Sequence, residues 1–192
     1  MAKKQSNKMA GAIGVFFLLF ALALLYLVSQ SNWIQKQIYP LKYSDPIMKY
    51  SGKYQVDPHL VMAIIWTESR YNERATSSRG ACGLMQIMPH TGKWAAESIG
   101  LESYTDESLY DPQINIQIGC WYLSSLFKQF GNDLNLVLAA YNGGSGNVAK
   151  WLKDERYSKD GMKLDYIPFK ETREYVTKVL NAYKNYKLLY EL

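Results

Sequence analysis

One carboxylic acid, Glu68, stands at the end of an apolar helical pattern, where a carboxyl group has unusual chemistry. Three apolar residues precede it by seven, four and three positions and therefore share its helical face: Val61, Ile64 and Ile65. Burial on that face would raise the pKa of the carboxyl, so that it could hold its proton near neutral pH. This is what a general acid in glycosidic cleavage requires. The alternative is that the apolar stripe stops at the helix end and that Glu68 is solvated there.

A turn that contains two glycines follows this helix. Gly80 and Gly83 permit backbone conformations that other residues rarely adopt, and they let the chain pass close to a ligand or another segment. Gln86 follows them with a neutral amide that can both donate and accept hydrogen bonds. Such an amide suits sugar hydroxyls and acetamido groups, so the turn is a candidate binding element.

Three sequence blocks, in this order, extend the pattern over about residues 50–186. They are Glu68-Ser69 with Ser77 and the GLMQ of 83–86, the AYNGG of 140–144, and the IPF of 167–169 followed by the ETREY of 171–175. Together they resemble the lytic transglycosylases of the soluble (Slt) type, whose fold is similar to that of goose-type lysozyme. The resemblance implies a mainly α, lysozyme-like helical domain with a substrate cleft.

The resemblance also implies how a single carboxyl could suffice, although glycosidases normally use two. Glu68 would protonate the oxygen that links N-acetylmuramic acid to N-acetylglucosamine in peptidoglycan, and would then act as a base on the C6 hydroxyl of the muramoyl residue. That hydroxyl would close on C1 and give a 1,6-anhydro end, with the entropic advantage of an intramolecular reaction. The expected role is cell-wall remodelling. Two alternatives are a lysozyme-type muramidase and a non-catalytic peptidoglycan-binding module of the envelope.

Seven further residues would, by the same resemblance, bind or position substrate: Ser77, Met85, Gln86, Tyr141, Asn142, Glu171 and Tyr175. Gln86 would bond an N-acetyl sugar, and Tyr141 would place its hydroxyl near Glu68. Glu171 and Tyr175 would reach the cleft wall from the last helix. For Met85 and Tyr175 the alternative is simple packing, and for Asn142 it is helix termination.

The remaining reactive side chains give little sign of other chemistry. Cys82 and Cys120 could form a disulfide outside the membrane, or could be two buried thiols. His59 and His90 lack companion ligands, so no metal site is expected. No phosphate-binding glycine loop is present, and no cofactor is expected.

The N-terminal segment predicts a membrane location. Residues 1–8 carry three lysines and no acid, and residues 9–28 are an unbroken apolar run, which is long enough for a single transmembrane helix. The lysines predict that the N-terminus stays in the cytoplasm and that the rest lies outside. The alternative is a signal peptide whose cleavage would release the protein. The net charge of +5 comes largely from this tail, and no basic stripe predicts nucleic-acid binding.

Beyond a linker at 29–43, residues 44–192 are expected to form the catalytic domain, and strand signals are weak throughout. Three Asp-Pro pairs, at positions 45, 57 and 111, each predict a helix start. Further helices are predicted over about 91–100, 112–130, 134–141, 148–152 and 171–190. On the helix over 112–130 the predicted core face comprises Ile114, Ile118, Trp121, Tyr122 and Leu126.

Overall fold

The computed structural model describes residues 15–24, 26–28 and 31–192. The chain divides into two compact units, Met1–Pro40 and Leu41–Leu192. In the second unit the helices are α2 (Ser44–Tyr54), α3 (Pro58–Ser69), α4 (Pro89–Ile99), a 3₁₀ helix (Asp106–Tyr110), α5 (Pro112–Phe130), α6 (Leu134–Gly143), α7 (Ser145–Trp151) and α8 (Lys170–Leu189). The described residues contain isolated β-bridges and no strand, which confirms the prediction of a mainly α protein.

In the first unit, residues 15–24 and 26–28 are helical and exposed, and α1 (Asn32–Ile38) follows. The predicted basic tail and the first six residues of the predicted anchor lie outside the described residues. Within the described ranges no single helix is long and apolar enough to cross a membrane. The pair Val15–Val28 and Asn32–Ile38, bent by 67°, meets the length and composition requirement together. The segment 29–43, predicted as a linker, contains α1.

Local sequence explains where the helices of the second unit begin and end. Asp57 and Asp111 cap α3 and α5 as predicted, each accepting a backbone N–H bond at 2.8 Å and each followed by proline. Asp45 is different, because α2 already begins at Ser44 and Asp45 lies in its first turn. Gly100 and Gly131 end α4 and α5 with positive φ angles of 72° and 66°, a conformation that glycine adopts readily.

Helix α3 is the centre of the domain. The sequence predicted one apolar face, but every residue from 59 to 65 is buried, because α3 packs chiefly along α8 and also against α2. The helix is therefore enclosed on all sides until its last turn. That last turn carries Glu68, which is the first acid after the buried segment.

The N-terminal end of α3 is hydrogen-bonded to α8 and the residue after it by a polar cluster. The Tyr183 hydroxyl donates a hydrogen bond of 2.6 Å to Asp57, and the His59 ring lies 3.0 Å from both Asp57 and the Tyr190 carbonyl oxygen. Hydrogen bonds from Tyr183 and His59 lower the pKa of the Asp57 carboxyl, and they outweigh the opposing effect of burial. These contacts fix the position of α3 against α8.

The buried face of α5 is wider than the sequence predicted. Ile118 and Leu126 are buried as expected, but Ile114, Trp121 and Tyr122 are only half-buried. The additional buried residues are Asn115, Ile116, Gly119, Cys120 and Leu123. The physical reason is that α5 contacts α2, α4, α6 and the 3₁₀ helix, so more than one face is covered.

Candidate active site

Glu68 lines a cleft of about 280 Å³ between the last turn of α3, the turn that follows it, and the start of α8. Protein atoms surround the carboxyl closely, and burial raises its pKa to about 7 from an ordinary value of 4.5. Interaction with the Tyr175 hydroxyl opposes this rise, and repulsion from Glu171 adds to it. The site therefore holds a carboxyl that is partly protonated at neutral pH, as the sequence predicted for a buried Glu68.

Two tyrosines stand close to this carboxyl. Tyr175 on α8 is buried, and its hydroxyl has no hydrogen-bond partner of standard geometry among the described residues, although it interacts with Glu68. The Tyr141 hydroxyl interacts electrostatically with Glu68 too, but it donates its hydrogen bond of 2.8 Å to the Met85 carbonyl oxygen. Burial raises the pKa of both tyrosines well above the usual value, so both remain neutral proton donors.

The turn opposite Glu68 is shaped by short backbone bridges. Cys82 and Ile87 exchange backbone hydrogen bonds of 2.9 and 3.0 Å, and Thr76 pairs with Cys82. Gly83 has a φ of 76°, and a Cβ at this position would collide with the Leu109 carbonyl oxygen and the Asn115 side chain. Only glycine fits there, which explains the glycine that the sequence singled out.

Two polar side chains to which the sequence assigned no role, Asn115 and Ser69, hold this turn in place. Asn115 on α5 is fully buried, accepts a bond of 2.8 Å from the Met85 N–H and donates to the carbonyl oxygens of Cys82 and Leu109 at 3.0 and 2.7 Å. Ser69, next to Glu68, donates a bond of 2.8 Å to the Leu84 carbonyl oxygen. Ser69 belongs to a recognised sequence block. For Asn115 the only sequence signal of a structural role was that a polar asparagine stands on the apolar helix α5.

Gln86 has an internal role that the sequence did not predict. Its backbone has a φ of 48°, and its side-chain amide donates to the carbonyl oxygens of Ala75 and Gly83 at 3.1 and 2.9 Å. These bonds use both N–H groups of the amide. A sugar group would therefore have to donate its hydrogen bond to the amide oxygen of Gln86.

The other predicted cleft residues are brought together with Glu68. Ser77 accepts a bond of 2.9 Å from the Ala81 N–H, and Asn142 accepts one of 2.8 Å from the Thr172 hydroxyl. Glu171 lies 3.3 Å from Arg79 in an exposed ion pair. Ser77, Asn142 and Glu171 all line the same cleft as Glu68, Gln86 and Tyr141.

Met85 does not line the cleft. It is fully buried, and its sulfur lies where a Cβ on Gly119 would be, so its side chain fills the space between the turn and α5. Only its carbonyl oxygen, which Tyr141 contacts, bears on the site. For Met85 the packing alternative is therefore correct, and Tyr175 combines packing with its contact to Glu68.

The two cysteines are free and buried, so the disulfide is not formed in this structure. Cys82 directs its thiol at the Gly80 carbonyl oxygen, 3.3 Å away, whereas Cys120 is enclosed within the core on α5. Burial raises the pKa of the Cys120 thiol strongly. Within the described part of the chain, no group of histidine, cysteine and acidic side chains could hold a metal ion.

Two further clefts adjoin the cleft at Glu68. A neighbouring cleft of about 240 Å³ shares Gln86, Tyr141 and Asn142 with it and adds His90 and Tyr122 among its walls. Another, of about 370 Å³, shares Arg79, Asn142 and Glu171 and adds Asn147, Phe169 and Thr172. The three clefts adjoin at Asn142, which lines all of them, and together they form a groove that suits an extended polymer. A cleft of about 320 Å³ elsewhere, beside Tyr54 and Phe127, contains no predicted site residue.

The family model described as "Transglycosylase SLT domain" matches residues 45–163. This chain belongs to the transglycosylase SLT domain family. The chain is 39% identical over 152 residues to the "Soluble lytic murein transglycosylase" of Escherichia coli (strain K12), a match that covers 77% of this chain and 24% of that protein. It is 34% identical over 174 residues to the "Membrane-bound lytic murein transglycosylase C" of Serratia proteamaculans, covering 76% of this chain and 47% of that protein.

Solved structures agree with this SLT assignment. The 70 kDa soluble lytic transglycosylase of Escherichia coli matches with a TM-score of 0.72 and 34% identity, over 81% of this chain and 25% of that one. An inactive Glu-to-Gln mutant of the lytic transglycosylase Slt from Pseudomonas aeruginosa matches with a TM-score of 0.69 and 32% identity, over 78% of this chain and 24% of that one. The chain thus spans about a quarter of the soluble relatives and about half of the membrane-bound one, and the lysozyme-like fold that the sequence predicted is confirmed.

Proposed function

We propose that this protein is a lytic transglycosylase of peptidoglycan, which cleaves the bond between N-acetylmuramic acid and N-acetylglucosamine and leaves 1,6-anhydro-muramoyl ends. The observation that carries the proposal is the Glu68 carboxyl, whose pKa is about 7, inside a groove of an SLT domain. A carboxyl with this pKa can serve as both proton donor and proton acceptor near neutral pH. Both uses are needed if one residue acts in both steps.

In the first step Glu68 gives its proton to the glycosidic oxygen, and the bond from that oxygen to C1 of the muramoyl residue breaks. The C2 acetamido group stabilises the cationic centre at C1. Because Glu68 has given up its proton, it is now a carboxylate. In the second step this carboxylate takes the proton of the C6 hydroxyl, and the C6 oxygen bonds to C1. Glu68 regains its proton. The reaction therefore consumes no water and needs no second carboxyl.

The neighbouring residues support this assignment by what they contact. The Tyr175 hydroxyl attracts the carboxylate form of Glu68 after the proton has left. Tyr141 ties the cleft wall to the Met85 carbonyl oxygen, and the Asn142 side chain is oriented by Thr172. We assign substrate contact to Ser77, Asn142, Glu171 and the amide oxygen of Gln86.

Glu171 is the other carboxyl in the cleft and the obvious candidate for a base in a hydrolase. Its side chain is 66% exposed and paired with Arg79, so it lacks the burial that Glu68 has. The inactive relative from Pseudomonas aeruginosa carries a single Glu-to-Gln change, which favours one essential glutamate on this fold. We therefore give Glu171 a binding role.

Digestion of purified sacculi tests the proposal. Mass spectrometry of the released fragments should show anhydro-muramoyl ends, which form only when the C6 hydroxyl captures the cation. Reducing muramic acid ends would instead identify a hydrolase, and binding without release of fragments would identify a non-catalytic module. Glu171→Gln serves as the matched variant: it should weaken binding and still give anhydro ends.

We also propose that residues 9–28 anchor the protein in the cytoplasmic membrane, with its N-terminus in the cytoplasm and the SLT domain outside. The support is the uninterrupted apolar run behind three lysines, together with a relative named as membrane-bound. Full-length protein should stay with membranes through a carbonate wash. A protein that begins near Asn32 and is free outside the cell would show that the segment is a cleaved signal peptide.

A further inference from the structure

A row of aromatic rings leads away from the catalytic cleft. Tyr141, which lines the cleft, lies 5.4 Å from the ring of Tyr122, and Tyr122 lies 6.3 Å from the ring of Trp94. The Trp94 ring also packs edge-to-face on Trp121, with 4.7 Å between ring centroids. These are the distances and angles of favourable aromatic pairs, so the row holds Trp94 in a defined orientation.

Trp94 lies beside the cleft that adjoins the catalytic one. His90 and Thr91 at the start of α4 line the cleft next to the catalytic one, together with Tyr122. Trp94 follows them by four and three residues, so it lies on the same side of α4, one helical turn or about 5 Å further along. The Trp94 ring therefore lies one turn along α4 from the residues that line the adjoining cleft.

The indole ring itself is accessible. Trp94 remains 50% exposed although Trp121 and Tyr122 pack against it. A large aromatic ring that is held in place on one side and open on the other is a typical ligand contact. Sugar rings have apolar C–H faces that pack on such rings, while their hydroxyl groups remain in water.

We propose that Trp94 is a distant glycan subsite, where a sugar ring of the strand being cleaved stacks on the indole several residues away from Glu68. The inference rests on the proposed function, because the occupant is the same glycan strand. Continuity supports this occupant: Tyr141 and Gln86 are shared between the catalytic cleft and the adjoining one, and Tyr122 links the adjoining cleft to Trp94. The subsite would favour long strands over short fragments.

Binding of glycan strands of graded length tests the subsite. Full-length protein in detergent, carrying Glu68→Gln to prevent cleavage, is titrated with peptide-free strands prepared from sacculi. Affinity should rise once a strand is long enough to reach Trp94. Trp94→Ala should remove that increment, about 3- to 10-fold, and leave the affinity for the shortest bound strands unchanged. Trp94→Phe, which keeps a smaller ring, should retain part of it.

Trp33→Ala is the matched control, because Trp33 is also exposed but lies outside the SLT domain unit. If the affinity of the Trp94→Ala variant rises with strand length as much as that of the parent, the subsite proposal is wrong and the proposed function is unaffected. Failure of the Trp94-containing parent to bind strands of any length overturns the proposed function itself. If Trp94→Ala does not fold, the comparison with Trp94→Phe decides, since equal affinity for long strands in that variant also refutes stacking on the indole.

Discussion

Replacing Glu68 by glutamine should abolish activity and stabilise the protein, and the size of the second effect follows from the site. Burial raises the pKa of Glu68 from 4.5 to about 7, so the folded state holds this proton more tightly than the unfolded chain does. Between these two values the unfolded chain has lost the proton and the folded state still holds it, so stability falls as the pH rises from 4.5 to about 7. At roughly 1.4 kcal/mol for each pH unit, the loss reaches about 3 kcal/mol above pH 7 and is absent below pH 4.

Glu68→Gln removes this ionisation while keeping nearly the same volume. Because the glutamine amide also gives up contacts with water, we expect the variant to gain about 2–3 kcal/mol over the parent at pH 8.5. For a domain of this size that corresponds to roughly 4–12 °C in melting temperature. The gain should shrink as the pH falls and vanish near pH 4, where the parental carboxyl is protonated in both states.

Urea unfolding at pH 4, 6 and 8.5 measures the gain, and release of fragments from sacculi measures activity. Activity should fall by at least ~10²–10⁴-fold, the usual contribution of proton transfer. Glu97→Gln is the matched control, because Glu97 is exposed on α4 and should change neither property. Glu73 is less suitable, since Tyr43 donates a hydrogen bond of 2.8 Å to its carboxylate.

Two results would refute this reasoning separately. A stability difference that is the same at pH 4 and pH 8.5 would show that Glu68 does not titrate with a raised pKa. A variant that releases fragments at near the parental rate would exclude Glu68 as the acid. Both measurements use the same purified protein, so loss of folding cannot imitate either outcome.

Further predictions concern the same site and its supports. Because Glu68 must be protonated to start the reaction, kcat/KM should decline as the pH rises through about 7, and a profile flat to pH 9 would contradict this. Asn115→Ala leaves the Met85 N–H and the Leu109 carbonyl oxygen without their partner, whereas the Cys82 carbonyl oxygen keeps its bond from Ile87, and it should cost about 3 kcal/mol in urea unfolding, with loss of activity. Gly119→Ala forces Met85 to move and should cost about 1–3 kcal/mol, whereas an unchanged midpoint would show that Met85 yields freely. The pKa of Asp57 is lowered, so its stabilising effect is present above its unfolded pKa and is lost as the pH falls. The stability difference between parent and Asp57→Asn should therefore be largest near pH 6 and shrink towards pH 3.

The sequence by itself determined the parts of this protein that depend on neighbouring residues. The bounds of α3 and α5 follow from Asp-Pro pairs and from the glycine that ends α5, because capping acts within one helical turn. The recognised blocks around Glu68, Asn142 and Glu171 named most of the cleft residues in advance. Local chemistry and recognisable motifs were sufficient for these features.

Tertiary structure alone decided how those residues are used. The surroundings that set the pKa of Glu68 include Tyr175 and Glu171 on α8, more than 100 residues further along the chain. Gln86 was expected to bond an N-acetyl sugar with an amide that can donate and accept, but the carbonyl oxygens of Ala75 and Gly83 already receive both of its N–H groups, and only its oxygen is left. Asn115 was missed because two of its partners, Cys82 and Met85, precede it by 33 and 30 residues, and this distance along the sequence hides the contact. A side chain's partners across the fold set its available hydrogen bonds and its pKa, and only the folded chain brings those partners together.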